Sequence, residues 1–168
     1  MVEGHRRTSH EHRSDLAGEY RWGDAGQNIL LIVFVVGMVV DVFLVKISYW
    51  QGLVPWYYRI IPFAILFLIG IYFVQQAHKT IFGEERKQLM VISTGVFALL
   101  RHPMYFGSLM IYLSFVILSL SIIAFAVFVV AMIFYYYLAW YEERLLNAKL
   151  GVEYEKYKER VPMLFPKL

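Results

Sequence analysis

The stretch that decides the fold is residues 104–139, which read MYFGSLMIYLSFVILSLSIIAFAVFVVAMIFYYYLA and contain no charged side chain. As one straight α-helix these residues would be about 54 Å long, at about 1.5 Å of rise per residue. The hydrocarbon core of a bilayer is only about 30 Å thick. The stretch must therefore fold back, and the triplet Ser119-Leu120-Ser121 is the predicted reversal. We expect a hairpin of two helices, over about residues 104–118 and 122–141.

Two more apolar blocks precede the hairpin, at Asn28–Val45 and Ile60–Val74. The first is about long enough to cross a bilayer, which takes roughly 20 helical residues. The second reaches that length once Trp56, Tyr57 and Tyr58 are counted as an interfacial aromatic belt. The chain is 60% hydrophobic and 17% charged, with its apolar residues gathered in blocks. The sequence predicts an all-α integral membrane protein with about four transmembrane helices, the last two forming the hairpin.

The positive charges indicate the orientation of these helices. They are gathered before helix 1, between helices 2 and 3, and after helix 4, at Arg6, Arg7, Arg13, Arg21, Lys79, Arg86, Lys87, Arg101, Arg144, Lys149, Lys156, Lys158, Arg160 and Lys167. The connection between helices 1 and 2 has only Lys46 and Arg59, near helix ends from which their side chains can extend to the interface. By the positive-inside rule, both termini and the loop 78–103 are cytosolic.

The chain divides into three parts on this pattern. Residues 1–27 form a cytosolic, flexible N-terminal segment, residues 28–77 hold helices 1 and 2, and residues 78–168 hold a cytosolic link, the hairpin and a tail. The histidines at positions 5, 10 and 12 suggest a metal site or a solvated tail, and we favour the tail. No metal site is predicted. The absence of cysteine excludes a disulfide framework and a thiolate nucleophile, and a net charge of +3 is too small to indicate nucleic acid.

A polar elbow leads into helix 3. Pro103 suits the first turn of a helix, where its missing N–H is not needed, and it disfavours helical geometry at His102. Helix N-terminal N–H groups, Arg101 and the imidazole together favour binding of a carboxylate or another anion. Tyr105 lies just inside helix 3, within reach of the same place. Taken singly, these residues are equally typical of a cytosolic anchor, a cap and an aromatic belt.

Two acidic residues, Glu142 and Glu143, follow the last apolar block. The end of a helix is the negative end of its dipole, which is unfavourable for acids. The residues four positions away are Leu138, Ala139, Leu146 and Asn147, so neither acid gains an ion pair within the helix. A partner from elsewhere is expected, either Arg101 or a cationic ligand, with a solvated pair as the alternative.

The combined pattern resembles the isoprenylcysteine carboxyl methyltransferases, whose relatives include phospholipid N-methyltransferases and bacterial membrane thiol methyltransferases. The residues that carry the resemblance lie between Val91 and Pro166: Thr94-Gly95, Arg101-His102-Pro103, Tyr105, Glu142-Glu143, Gly151, Tyr154, Tyr157 and Val161-Pro162. The resemblance implies methyl transfer from S-adenosylmethionine, with S-adenosylhomocysteine as product. It also implies that the cofactor is held from the cytosol by the hairpin and the tail, which would close the pocket.

The resemblance further implies roles for particular residues. The catalytic residues would be Arg101 and Glu142. The cofactor-binding residues would be Phe97, Ala98, Leu99, Leu100, His102, Tyr105, Met110, Ile111, Tyr112, Leu113, Glu142 and Glu143.

Two departures from the family pattern bear on the methyl acceptor. Phe97 stands where the family often has Tyr, and Leu138 stands where the isoprenylcysteine enzymes carry an Arg for the substrate carboxylate. We expect methyl transfer to a lipid-like acceptor at the cytosolic membrane face, most like isoprenylcysteine carboxyl O-methylation. The alternatives are a phospholipid amine, a thiol, or a non-catalytic scaffold or lipid-binding protein of the same fold. Membrane lipids are the expected partners, and the oligomeric state stays open.

Overall fold

The computed structural model describes residues 23–83 and 90–166, and the regular structure within them is entirely helical. Five α-helices follow one another: α1 Gly23–Val39, α2 Trp56–Phe82, α3 Pro103–Ser119, α4 Ile122–Leu150 and α5 Val152–Arg160. A π-helical turn, Val40–Val45, extends α1, and short 3-10 turns lie at Tyr49–Gly52 and Gly95–Ala98. The predicted flexible segment up to residue 22, with its three histidines, and residues 84–89 of the predicted link lie outside the described residues.

Three of the helices are long and apolar enough to cross a membrane: Gly23–Val45, Trp56–Ile81 and Ile122–Leu150. The fourth apolar helix, α3, is shorter at 17 residues. The predicted all-α membrane fold with a terminal hairpin is confirmed. Helix α1 is described from Gly23, five residues before the apolar block.

The reversal between α3 and α4 lies where the sequence predicts it. Leu120 adopts a left-handed conformation, with φ of 48°, and its N–H donates to Val116 O at 2.8 Å. Ser121 then caps α4, since its hydroxyl accepts from the N–H of Ala124 at 3.1 Å. A left-handed residue followed by a serine cap ends one helix and begins the next within two residues.

The predicted end of helix 4 at about residue 141 is wrong. Helix α4 continues to Leu150 and ends at Gly151, whose φ of 53° favours glycine. Glu142 and Glu143 therefore lie two turns before the helix end, beyond the reach of its dipole, which acts within the last turn. Nothing in the polar sequence after residue 141 breaks a helix before Gly151, so the loss of hydrophobicity did not mark its end.

The helices pack around α3 and α4, with α2 against α3 and α1 against α4. The crossing of α2 and α3 depends on two glycines: a Cβ added at Gly70 would lie 2.7 Å from Gly107 O, and one at Gly107 would lie 2.7 Å from Gly70 O. The main core lies between the helices and includes Phe34, Leu109 and Leu138. This close backbone approach is typical of helix packing in membranes.

A buried polar group, which we call the Asp41 cluster, ties α1 to the hairpin turn. Asp41 is fully buried, and its carboxylate accepts from the hydroxyls of Ser48 at 2.6 Å and Ser121 at 2.5 Å and from the N–H of Ser48 at 3.2 Å. The Ser48 hydroxyl also accepts from the N–H of Ile122 at 2.8 Å. The donors compensate the cost of burying the carboxylate. The cluster defines the end of the bundle opposite to the elbow.

The prediction that the Arg59 side chain extends to the interface is wrong. The side chain is buried, and it donates to Val54 O at 2.9 Å and to Leu118 O at 3.2 Å. It also contacts the carbonyl of Gln51. The last turn of α3 leaves carbonyl groups without helical donors, and a guanidinium at the start of α2 satisfies one of them.

Candidate functional site

The elbow before α3 is a turn followed by a non-helical residue. Gly95 has φ of +60° and opens the 3-10 turn Gly95–Ala98, which confirms the turn predicted at Thr94-Gly95. Leu100 is fully buried in the main core. His102 has φ of −121° and ψ of 64°, and Pro103 begins α3, as predicted. The buried Leu100 anchors the elbow, so that Arg101 and His102 follow at a fixed position.

The C-terminal tail packs on this elbow through three hydrogen bonds. The N–H of Arg101 donates to Pro162 O at 3.0 Å, and the N–H of His102 donates to Met163 O at 3.1 Å. The hydroxyl of Tyr157 in α5 donates to Phe97 O at 2.6 Å. The tail carbonyls thus occupy the backbone N–H groups of Arg101 and His102. The expectation that N–H groups at the start of α3 help to bind an anion stays a prediction.

Four charged side chains meet below the elbow, and we call them the ionic cluster: Arg101, His102, Glu142 and Glu143. Arg101 Nη2 lies 3.0 Å from Glu143 Oε1. The imidazole of His102 lies between the two acids, with Nδ1 3.4 Å from Glu142 Oε2 and Nε2 3.4 Å from Glu143 Oε1. Arg101 is the partner from outside the helix that the sequence predicts for the acidic pair. The cluster joins the start of α3 to the C-terminal part of α4.

Tyr105 completes the cluster on the side of the helix bundle core. Its hydroxyl donates to Glu142 Oε1, and its ring stacks on His102 with the centroids 5.6 Å apart and the planes 5° from parallel. The ring also contacts Tyr135 of α4, at a centroid distance of 5.2 Å. Tyr105 thus holds both a carboxylate and the imidazole in place.

The charges of the cluster favour a protonated His102. Burial by itself lowers the pKa of the imidazole, but the attraction of the Glu142 and Glu143 carboxylates on either side outweighs it and raises the pKa above its usual value. With His102 protonated, two cations face two anions and the cluster is neutral. A neutral group of paired charges is the less costly arrangement in a buried site.

Several buried polar atoms of this region lack a hydrogen-bond partner among the described residues. The donors are Arg101 Nε and Nη1 and His102 Nε2, and the acceptors are Glu143 Oε1 and Asn147 Oδ1. The contacts of Glu143 Oε1 with Arg101 and His102 bring charges together without the alignment of a hydrogen bond. Buried polar groups in proteins are normally satisfied. Unpaired donors and acceptors side by side can therefore bind a ligand that carries both a carboxylate and an amino group.

Comparison with known protein families identifies the chain. The family model for phospholipid methyltransferase matches residues 58–153, which is more than half of the sequence. The chain belongs to this family. The match runs from α2 to the start of α5 and includes the whole ionic cluster. It confirms the family group that the sequence motifs indicate, the membrane methyltransferases related to the isoprenylcysteine carboxyl methyltransferases. No curated protein and no solved structure matches the chain.

The structure brings only part of the predicted site together. His102, Tyr105, Glu142 and Glu143 are in contact with one another, and Arg101 joins them. Of the residues before the elbow, Phe97 and Leu100 are buried, whereas Ala98 and Leu99 are exposed. The role of these residues as a pocket lining stays a prediction.

The second predicted stretch, Met110–Leu113, lies deeper in the bundle. At about 1.5 Å per residue it is roughly 8–12 Å along α3 from Tyr105. Ile111 faces Gly70 of α2, while Tyr112 is buried against Phe34 of α1, with ring centroids 4.7 Å apart. Ile111 and Tyr112 therefore face different helices, and the role of the stretch in packing on the cofactor stays a prediction.

Sequence reasoning missed two residues of the site. It named Tyr157 only as part of the tail pattern, yet its hydroxyl binds the carbonyl before the elbow. Asn147 lies one turn beyond Glu143 on α4, and its amide nitrogen donates to Glu155 at 3.5 Å. A carboxylate can only accept, so the amide oxygen of Asn147 faces away from Glu155. The four-residue spacing from Glu143 was the available signal for Asn147.

The residues present fit S-adenosylmethionine, which the family implies. Its methionine part carries a carboxylate and an ammonium group, and its ribose carries hydroxyls. The donors of Arg101 and His102 that make no hydrogen bond suit the carboxylate, and the acceptors of Glu143 and Asn147 that accept none suit the ammonium group or a hydroxyl. The tail lies directly over the elbow and supplies a covering segment.

Proposed function

We propose that the chain is an S-adenosylmethionine-dependent methyltransferase that acts on a lipid-like acceptor at the cytosolic face of a membrane. The observation that carries the proposal is the ionic cluster with its unpaired buried atoms, at one end of an apolar bundle and inside the region matched by the phospholipid methyltransferase family. In this proposal residues 78–168 form the catalytic part, and α1 and α2 support it.

The proposed division of roles follows from the contacts in the cluster. Bound S-adenosylmethionine would supply a methyl group activated by the sulfonium charge. Arg101 and His102 would hold its carboxylate, and Glu143 would hold its amino group. Glu142, which already accepts from Tyr105, would bind the cofactor by a further hydrogen bond. A partly dry pocket favours a reaction in which the sulfonium charge is lost, and a fixed alignment of acceptor and methyl group supports in-line transfer.

The acceptor is proposed to enter from the bilayer, because the surroundings of the cluster on that side are apolar and aromatic. Leu138 and Ala139 are fully buried, and Tyr135 is nearly so.

Leu138 holds no charge for an acceptor carboxylate, which separates this chain from the isoprenylcysteine enzymes at that position. This observation favours a phospholipid amine over an isoprenylcysteine carboxylate as the methyl acceptor. Methylation of a phospholipid amine is therefore the second candidate function. An amine would have to lose its proton before transfer, and the carboxylate of Glu142 could receive it.

The direct test is methyl transfer by the purified protein in lipid vesicles with radiolabelled S-adenosylmethionine. Farnesylcysteine analogues, phosphatidylethanolamine and a small thiol are offered in parallel, and label is measured in each extracted product. We expect label in a lipid-like acceptor and loss of label with Glu142→Gln. The Tyr136→Phe variant is the control, since this exposed tyrosine lies on the outer face of α4.

The outcomes separate the candidate functions. Transfer to prenylcysteine alone would support the isoprenylcysteine activity and show that Leu138 does not exclude a carboxylate. Transfer to phosphatidylethanolamine would support the amine. A folded protein that binds the cofactor but labels none of the three would require another lipid acceptor. One that binds no cofactor would be a scaffold or lipid-binding protein.

A further inference from the structure

One buried contact outside the ionic cluster connects the tail to the proposed cofactor site. Tyr157 is 5% exposed, and its hydroxyl donates to Phe97 O at 2.6 Å across 60 residues of sequence. Phe97 lies in the 3-10 turn before the elbow and is itself buried. The hydrogen bond therefore joins α5 to the turn from which Arg101 and His102 follow.

The Phe97 carbonyl has no helical donor of its own. In a helical turn its partners would be the N–H groups three and four residues later, those of Leu100 and Arg101. Leu100 N instead donates to Val96 O at 3.1 Å, and Arg101 N donates to Pro162 O at 3.0 Å. The tyrosine hydroxyl takes the place of the missing backbone donor, because a buried carbonyl without a partner is unfavourable.

The protonation of Tyr157 suits this task. Burial, helped by the charge of Glu143 and opposed by that of Arg101, raises the pKa of Tyr157 to about 12. The phenol is therefore protonated at neutral pH and can donate.

We propose that Tyr157 is a positioning residue for cofactor binding, whose hydroxyl fixes residues 97–102 against the tail and so holds Arg101 and His102 in their binding geometry. The hydrogen bonds of Tyr157 OH, Arg101 N and His102 N together attach residues 97–102 to the tail at three points. Without the hydroxyl, the turn would keep its packing and lose its orientation. The proposal rests on the proposed function of the ionic cluster as a cofactor site.

The test compares Tyr157→Phe with the wild-type protein in detergent or vesicles. We expect the dissociation constant for S-adenosylhomocysteine and the KM for S-adenosylmethionine to rise about fivefold to tenfold, the effect of losing one buried hydrogen bond. We expect kcat to stay within about twofold, since Tyr157 does not contact the ionic cluster directly. Amide hydrogen exchange in residues 97–102 of the cofactor-free protein should become faster.

Two controls separate positioning from general stability. Tyr136→Phe removes a hydroxyl from an exposed tyrosine, and Leu150→Ala removes packing from the cluster in which Tyr157 lies. Leu150→Ala should lower the thermal midpoint at least as much as Tyr157→Phe while leaving the KM for the cofactor unchanged. Equal cofactor affinity of Tyr157→Phe and wild type would overturn the proposal. If the wild-type protein itself bound no cofactor, the proposed function would fail. Faster amide hydrogen exchange in Tyr157→Phe would then mean that the hydrogen bond from Tyr157 to Phe97 O has a purely structural role.

Discussion

At the scale of single residues, His102 is the centre of the site. It contacts both acids through its two ring nitrogens and stacks on Tyr105. A side chain with these contacts cannot be replaced without changing the position of several others. The two residues best suited to test the site are therefore His102, which has three partners in it, and Glu142, which has two.

We predict that His102→Ala and Glu142→Gln each weaken the binding of S-adenosylhomocysteine by about tenfold or more. A hydrogen bond to a charged group contributes roughly 1.5–3 kcal/mol, so the loss of one is about a tenfold effect. Isothermal titration measures the affinity, and a cooperative unfolding transition shows that the variants are folded. Unchanged affinity in both variants would refute the assignment of the site.

The raised pKa of His102 predicts how stability depends on pH. Because the folded protein holds the imidazole proton more tightly than the unfolded chain, the contribution of His102 is fully present below its ordinary pKa of 6.5. It is lost as the pH rises through the higher pKa of the folded state. The thermal midpoint of the wild type should therefore fall more steeply above pH 6.5 than that of His102→Gln. Parallel curves for the two proteins would contradict the raised pKa.

At the scale of helices, the α2–α3 crossing is the contact most sensitive to size. Gly70 and Gly107 approach each other so closely that a methyl group on either residue would lie 2.7 Å from the carbonyl oxygen of the other glycine. We predict that Gly107→Ala destabilises the protein by about 1–3 kcal/mol, since backbone atoms must move to admit the methyl group. Thermal unfolding in detergent measures the effect. Gly52→Ala is the matched control, because nothing lies within 4 Å of a methyl group there, and equal stability of the two variants would refute this packing.

The Asp41 cluster holds α1 to the hairpin turn at the opposite end. We predict that Asp41→Ala lowers the stability by about 2–4 kcal/mol, because it leaves the buried hydroxyls of Ser48 and Ser121 without their acceptor. Asp24→Ala, on an exposed part of the same helix, should change the stability by no more than about 1 kcal/mol. Thermal unfolding in detergent compares the two variants. A small loss of stability in Asp41→Ala would mean that the Asp41 cluster is not a main attachment of α1.

At the scale of the whole molecule, the positive charges predict the orientation in the membrane. We expect the elbow, the ionic cluster and α5 to lie on the cytosolic side, and the Asp41 cluster on the other. The chain has no cysteine, so single cysteines can be introduced without background labelling. In sealed inside-out vesicles, a membrane-impermeant maleimide should label Glu159→Cys and leave Gly52→Cys unlabelled. Labelling of both positions from one side would contradict the proposed arrangement of helices.

Much of this architecture can be predicted from the sequence, because lipid imposes strong rules. A charge-free stretch too long for one helix must turn, and Ser119-Leu120-Ser121 supplies the turn. The elbow was equally visible, since Pro103 begins a helix and Gly95 permits a positive φ. The end of α4 was not, because hydrophobicity marks where a helix leaves the membrane and not where it stops. The three-dimensional part of the site, such as Tyr157 on Phe97 and the tail on the elbow, depends on long-range contacts that no local pattern records.

The measurement that tests the central claim most directly is hydrogen–deuterium exchange of the folded wild-type protein with and without S-adenosylhomocysteine. If the ionic cluster and the tail form the cofactor site, exchange should slow in residues 97–105, 142–150 and 157–163, and stay unchanged in residues 48–54 and 118–124 at the opposite end. Absence of binding by the folded protein, or protection confined to the end with the Asp41 cluster, would contradict the account.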